Sequence, residues 1–141
     1  MSTATTYIET EKQLVPALRF KNFNEQWDEA LLKDLSERIM VGLATSVTDY
    51  YTDESLDTVP IIRNQNIKNG YFDDSSMLYL KRSFSELHPN KRVKSNDVIT
   101  VHTGSNVGLT CVVPENYDGA QTFTTLVVTL KKELLNPFFL N

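Results

Sequence analysis

The feature that most constrains the fold is the stretch VITVHTGSNVGLTCVVPE, residues 98–115, in which two arms rich in branched apolar residues flank a polar turn containing two glycines. Branched apolar arms are typical of β-strands, and glycine adopts the backbone conformations that a tight reversal requires. We predict strands at 97–102 and 109–113, and a third strand in the next β-rich run, at 123–130. Short strands in such quick succession indicate a β-rich domain.

Weaker signals come earlier in the chain. Apolar residues at helical spacing, with charged residues on the other side, predict a short amphipathic helix over residues 29–39. Trp27, just before it, is expected to anchor the core. A β-rich run beginning at residue 59 predicts a strand that leads into the Asn-Gly turn of KNGY, residues 68–71.

Two further helices and one further strand are predicted from local signals. A short strand is expected at 77–80 and a short helix at 83–87, where Ser83 and Glu86 have capping-box spacing. In NPFFLN, residues 136–141, the asparagine is a predicted N-cap and the proline the first helical residue. The pattern predicts an α+β fold, a single domain with a twisted, mostly antiparallel β-sheet and short helices.

Charge is unevenly distributed along the chain. The net charge of −4 argues mildly against a protein that coats itself in nucleic acid, since such binding is dominated by contacts of Lys and Arg with phosphates. Between Arg63 and Lys94, however, seven basic residues stand against three acidic ones, a local balance of +4. By contrast, residues 48–57 have four acidic residues and no basic one, so we expect a solvated loop there that repels a phosphate backbone.

The glycine turn does not match the known phosphate-binding loops. Gly104 and Gly108 enclose only three residues, and Leu109 stands where a P-loop requires lysine. The dinucleotide fingerprint G-x-G-x-x-G does not occur in the sequence either. We therefore predict no nucleotide cofactor.

A nucleophilic site would use Ser105 with His102 or His88 and an acid such as Asp97. Ser105 is not in a G-x-S-x-G elbow, and a strand that directs His102 to one face gives no reason for the two to meet. The two histidines and the single cysteine have no metal-ligand spacing. We predict neither a metal nor a catalytic site, and a small hydrolase remains a minor alternative.

The cellular context is indicated by missing signals. The sequence has no signal-peptide pattern and no apolar run long enough for a membrane span, so a cytoplasmic protein without a membrane partner is expected. Cys111 stands alone among apolar neighbours and is predicted to be a buried hydrophobe. What remains for function is the stretch RNQN, residues 63–66, whose side chain types pair with guanine or adenine edges in a major groove.

Four segments taken in order resemble the target recognition domain of the DNA specificity subunit of type I restriction-modification systems. They are VPALRF with the following tryptophan and helix, then PIIRNQNIKNGYF, VKSNDVITVHTGSNVGLTCVVPE and TFTTLVVTLKKELLNPFFL. The resemblance covers nearly the whole chain from about Val15 onward. Such subunits hold two recognition domains separated by long helices, and each domain reads half of a bipartite DNA site.

The resemblance implies a non-catalytic reader of double-stranded DNA, without a cofactor, whose modification and restriction subunits carry out methyl transfer and cleavage. Residues 1–13 are polar, rich in threonine and without periodicity, which indicates a flexible leader. The resemblance implies that the recognition domain covers 14–136 and that a truncated spacer helix starts at 137–141. The residues expected to face DNA are Arg63, Asn64, Gln65, Asn66, Lys68, Lys81, Arg82, Lys91, Arg92, His102, Thr103, Ser105 and Asn106.

Three positions depart from the family pattern. Asn96 replaces a glycine, which is tolerable because asparagine also adopts the left-handed conformation. His102 stands where the family often has arginine, and Leu109 replaces a common basic residue, so two positive charges of the family pattern are missing from the turn. An alternative function is association with the modification subunit or with a second copy, which the apolar FFL end of the chain favours.

Overall fold

Short strands make up most of the regular structure, because runs of branched residues are interrupted by glycine, proline and amide residues. The computed structural model describes residues 20–22, 25 and 28–141. The strands within this part of the chain are β1 (Ser36–Val41), β2 (Tyr51–Thr52), β3 (Thr58–Ile62), β4 (Leu78–Lys81), β5 (Val98–Val101), β6 (Thr110–Val112), β7 (Gln121–Thr122) and β8 (Thr125–Leu130). The helices are α1 (Arg82–Glu86) and α2 (Pro137–Leu140), with 3₁₀ turns at Thr48–Tyr50, Asn64–Asn66, Pro89–Lys91 and Glu115–Tyr117.

The strands form two four-stranded sheets. The first sheet has the order β1-β8-β5-β6 and is antiparallel throughout, and the second has the order β2-β4-β3-β7 with one parallel pair, β3 with β7. The predicted α+β class with mostly antiparallel strands is confirmed, although the strands divide between two sheets where one was expected. Leu32–Asn141 forms one compact unit, and the described residues before Leu32 belong to another and contain no helix or strand.

Both faces of the first sheet are covered by apolar side chains. Ile99 and Val101 belong to the largest core cluster. Ile62, at the end of β3 in the second sheet, and Ile67, shortly after it in the chain, belong to the same cluster. Val98 lies in a separate cluster on the first sheet, and that cluster is covered by residues at the C-terminal end of the described chain. A strand buried on both faces explains why the predicted arms of the glycine turn are almost continuously apolar.

The two sheets are joined where the chain leaves β1. Leu43 N donates to Thr122 O at 2.7 Å, and Phe123 N donates to Ile62 O at 2.9 Å. Gly42 has no room for a side chain, because a Cβ atom there would lie 2.6 Å from Thr122 O. Since Ile62 is the last residue of β3, this joint fixes where the residues after β3 lie relative to the first sheet.

The predicted helix over 29–39 is wrong. Residues 32–35 form a turn, and β1 then pairs with β8 along its length. The β-branched residues Ile39 and Val41 suit a strand, and pairing with β8 outweighs the weak helical spacing. Of the leucines at that helical spacing, Leu31 and Leu32 are exposed, Leu31 at 61%, and Leu35 is half-buried.

The other predicted helices and strands agree with the structure, with small shifts, whereas residues 48–57, expected as a loop, contain the 3₁₀ turn Thr48–Tyr50 and β2. α1 begins at Arg82 and no side chain caps it, so the predicted capping box of Ser83 and Glu86 does not form. Asn136 is confirmed as an N-cap, since its Oδ1 accepts a hydrogen bond from Phe138 N at 2.9 Å. Asn96 adopts the expected left-handed conformation with φ of 67°.

Cys111 is confirmed as a fully buried free thiol. Burial raises its pKa to about 12, as desolvation disfavours the thiolate. The predicted leader at 1–13 and the predicted core role of Trp27 lie outside the described residues.

Candidate nucleic-acid interface

Two polar turns meet where β3 and β5 end. The Asn64 side chain donates from Nδ2 to the backbone carbonyl of Thr103 at 3.2 Å. This bond joins the amide-rich segment, residues 63–68, to the glycine turn, residues 102–108. We call the two segments together the two-turn surface. The sequence predicted each segment separately as a DNA contact, and the structure places them side by side.

The glycine turn is a hairpin tip that presents side chains to solvent. Gly104 and Gly108 have φ of 91° and 94°, a conformation that L side chains rarely adopt. The hairpin is closed by a bond from Gly108 N to Val101 O at 2.9 Å, and every residue from 102 to 108 is exposed. His102, Thr103, Ser105 and Asn106 are therefore accessible, as predicted for a contact surface.

In the amide-rich segment the structure separates accessible from buried side chains. Gln65 is exposed, whereas Asn66 has no exposed surface at all. The Asn66 side chain accepts a hydrogen bond from Arg63 N at 3.0 Å and donates one to Asp73 O at 2.9 Å. Asn66 is thus a correction to the predicted DNA contacts, because both of its polar groups hold the turn together from inside.

Arg63 and Asn64 are only partly satisfied by the protein. Arg63 donates from Nη2 to Ser76 O at 2.7 Å, and Asn64 donates to Thr103 O. The buried atoms Arg63 Nε and Asn64 Oδ1 have no hydrogen-bond partner among the described residues. Buried polar atoms without a partner are rare in folded proteins, and two of them lie here.

Most of the basic side chains between Arg63 and Lys94 already bind acceptors of the protein. Including the Arg63 bond above, their N···O distances range from 2.7 to 3.7 Å. The remaining contacts are Arg82 with Leu56 O, Thr58 O and Asp57; Arg92 with Ser85 Oγ; Lys91 with Val41 O; Lys68 with Asp73; and Lys94 with Glu37. The basic side chains are therefore held in place by the protein, although bonds to neutral oxygens leave the charges of Arg63, Lys91 and Arg92 uncancelled.

Lys81 and Arg82 are not part of the two-turn surface. In the antiparallel pair of β3 and β4, Lys81 lies opposite Thr58, at the far end from Ile61 and the turn that follows β3. Three residues of strand separate the two ends, which is roughly 10 Å. Lys81 is exposed, but a ligand bound to the two-turn surface contacts it only if the ligand is long enough to span this distance.

An acidic rim borders the surface, which the sequence did not reveal. The Asp73 carboxylate accepts hydrogen bonds from Ser75, which are the main cause of its lowered pKa, and Lys68 lies 3.5 Å away. Asp74 accepts a hydrogen bond from Tyr117 Oη at 3.2 Å. Burial, with the Asp74 charge adding to it, raises the pKa of Tyr117 to about 12.

A sequence signal for this rim does exist. Ile67 and Phe72 pair across the KNGY reversal, and this antiparallel pairing makes Lys68 and Asp73 diagonal neighbours, 3.5 Å apart. The carboxylates add negative charge beside the two-turn surface. A phosphate is consequently disfavoured on this side.

The residues considered for a nucleophilic site do not assemble. Asp97 is buried and bound to Arg38 at 3.0 Å, and the His88 ring packs on Phe84 with ring centroids 4.9 Å apart. Ser105 makes no hydrogen bond to any of the residues that the structure describes. In the described part of the chain no three metal-ligating side chains converge, and no helix is long and apolar enough to cross a membrane.

Comparison of the sequence with protein-family models and with curated proteins found no match. The likeness to the recognition domain of type I specificity subunits consequently rests on the quoted motifs. Two of those motifs, around RNQNIKNG and HTGSNVG, form the two-turn surface.

Proposed function

We propose that this chain is a non-catalytic recognition domain that reads one half of a bipartite site in double-stranded DNA. By the resemblance, partner subunits carry out methylation and restriction at the site that it selects. The observation that supports the proposal most is the Asn64 to Thr103 hydrogen bond, because it brings the two polar segments into one exposed surface. A surface of amides and hydroxyls on a hairpin tip suits base edges, since a major groove admits a two-stranded ribbon.

Binding by the isolated chain is expected to be weak. Nonspecific affinity for DNA comes from Lys and Arg contacts with phosphates, and most basic residues between Arg63 and Lys94 already bind protein acceptors. The second recognition domain of such subunits adds avidity that a single domain lacks. Specificity, rather than affinity, is therefore the property to measure.

Selection from a random duplex library at low salt tests the proposal. The full chain is expected to enrich one short sequence, and Gln65→Ala is expected to reduce that enrichment because it removes an exposed amide of the two-turn surface. Asn116→Ala is the matched control, since Asn116 is an exposed amide in the turn Glu115–Tyr117. No enriched sequence, or equal effects of both variants, would contradict the proposal.

A second candidate function is association with the modification subunit or with a second copy of the chain. Phe138 and Phe139 in α2 are 67% and 75% exposed, whereas Leu140 packs against the body. Light scattering tests it, with Phe139→Ser as the variant and Leu87→Ser, at a 75% exposed site elsewhere, as the control. A strict monomer whose mass a modification subunit leaves unchanged would contradict association.

A further inference from the structure

We infer that the two-turn surface selects A·T base pairs, which it reads in the major groove through neutral side chains. The inference rests on the proposed function and goes beyond it by naming the base pairs. It depends on which side chains of the surface are free to bind and which the protein already holds.

The usual readers of guanine are not free here. Guanine is read by the fork of Arg or by Lys, which donate to O6 and N7. Arg63 donates from Nη2 to Ser76 O at 2.7 Å, so one arm of its fork is occupied. Lys68 lies 3.5 Å from the Asp73 carboxylate. Each keeps further N–H donors, but aligning two of them on O6 and N7 of guanine competes with the contact that now holds the side chain.

The usual readers of adenine are free. Gln65 and Asn106 are exposed, and the side chain of neither makes a hydrogen bond within the described part of the chain. An amide donates and accepts at once, which matches N7 and the amino group of adenine. Val107 is 62% exposed at the hairpin tip and offers an apolar contact for the thymine methyl group.

Other groups of the surface do not favour G·C pairs. Carboxylates read the amino group of cytosine, but Asp73 already accepts from Ser75, and Asp74 accepts from Tyr117. His102 is exposed, yet the two nitrogens of an imidazole lie on different edges of the ring, so it cannot form a two-pronged contact with guanine. The hydroxyl of Ser105 pairs with either kind of base pair.

The two amides are close enough to read one half-site. Asn64 and Thr103 are in hydrogen-bond contact, and Gln65 follows the first by one residue and Asn106 the second by three. Since an extended chain spans only about 3.3–3.6 Å per residue, the Cα atoms of Gln65 and Asn106 lie within roughly 20 Å of each other. At about 3.4 Å per base pair, both side chains meet a stretch of at most about six pairs.

The test is duplex selection with the full chain at low salt, followed by the same selection with Gln65→Arg and with Asn106→Ala. The wild-type chain is expected to enrich adjacent A·T pairs. Gln65→Arg is expected to change one enriched position from A·T to G·C, because arginine forks onto guanine, and Asn106→Ala to relax another position by roughly 5- to 150-fold. Asn116→Arg, on an exposed site outside the surface, should leave the enriched sequence unchanged.

The outcomes separate this inference from the proposed function. Enrichment of a half-site made of G·C pairs would overturn the A·T inference and leave DNA recognition standing. An unchanged sequence with Gln65→Arg would also overturn it. Failure of the wild-type chain to enrich any sequence would overturn the proposed function, and the inference with it.

Discussion

Replacing Gly42 with alanine perturbs the joint between the two sheets. The new Cβ atom would lie 2.6 Å from Thr122 O and 2.9 Å from both the carbonyl carbon and Cγ2 of Thr122. Two of these are backbone atoms, so no change of rotamer relieves the clash. Thr122 is also held by β7 pairing with β3 and by the 2.7 Å bond from Leu43 N.

The expected cost of Gly42→Ala follows from those contacts. Overpacking of this kind costs about 1–3 kcal/mol. Loss or stretching of the Leu43 N to Thr122 O bond adds about 0.5–1.5 kcal/mol. Alanine offsets about 0.4–1 kcal/mol by restricting the unfolded chain. The net loss of unfolding free energy is expected to be about 2 kcal/mol, or about 7 °C in Tm for a domain of this size.

Urea unfolding followed by circular dichroism measures this loss. Gly119→Ala is the control, because nothing lies within 4 Å of its Cβ position and only its φ of 79° is unfavourable for alanine. That backbone strain is worth about 1–2 kcal/mol before the same offset. The reasoning is refuted if Gly42→Ala is as stable as the wild type, or if Gly119→Ala destabilises more.

Further predictions concern pH, thiol reactivity and salt. Burial raises the pKa of Asp97 above its ordinary value of 3.8, so its contribution to stability is fully present below that value and is lost as pH rises through the folded pKa. The stability of the wild type relative to Asp97→Asn should therefore increase on acidification in urea titrations, and a decrease would mean that pairing with Arg38 dominates instead. Cys111, fully buried and with a pKa of about 12, should resist iodoacetamide at pH near 8 until urea unfolds the chain, which intact-mass spectrometry detects; rapid labelling of the native chain would contradict the packing. The slope of log Kd for DNA against log salt concentration should stay below about 3, since each phosphate contact contributes about 0.9. A steeper slope would contradict the account, because it would require more Lys and Arg side chains on phosphates than their contacts within the protein leave available.

The strands around the glycine turn were predictable because their signals are local. A glycine with positive φ, a proline or an N-cap asparagine acts on its immediate neighbours, as Gly104 and Asn136 do here. The strand Ser36–Val41 was missed because its structure is determined by a partner far along the chain, β8. A short apolar spacing does not distinguish a helix from a strand that gains such a partner.

The candidate site shows the same division between local and distant information. RNQN and HTGSN were found as polar turns, but their contact through Asn64 and Thr103 depends on how the two sheets join. Asn66 was predicted to contact DNA because asparagine pairs with adenine, but its side chain is fully buried beneath the turn. The number of free cations was overestimated for a similar reason, as the acceptors of Lys91 and Arg92 come from other segments.

The most direct test of the account is the location of DNA on the chain. Amide chemical shifts of the isotope-labelled chain would be followed by NMR during titration with the duplex that selection enriches. We predict that the largest changes fall in residues 63–68 and 102–108, with the backbone around Asn116 unaffected. Chemical-shift changes confined to residues 48–57 or to α2, with no change in the two-turn surface, would contradict the proposed DNA-binding site.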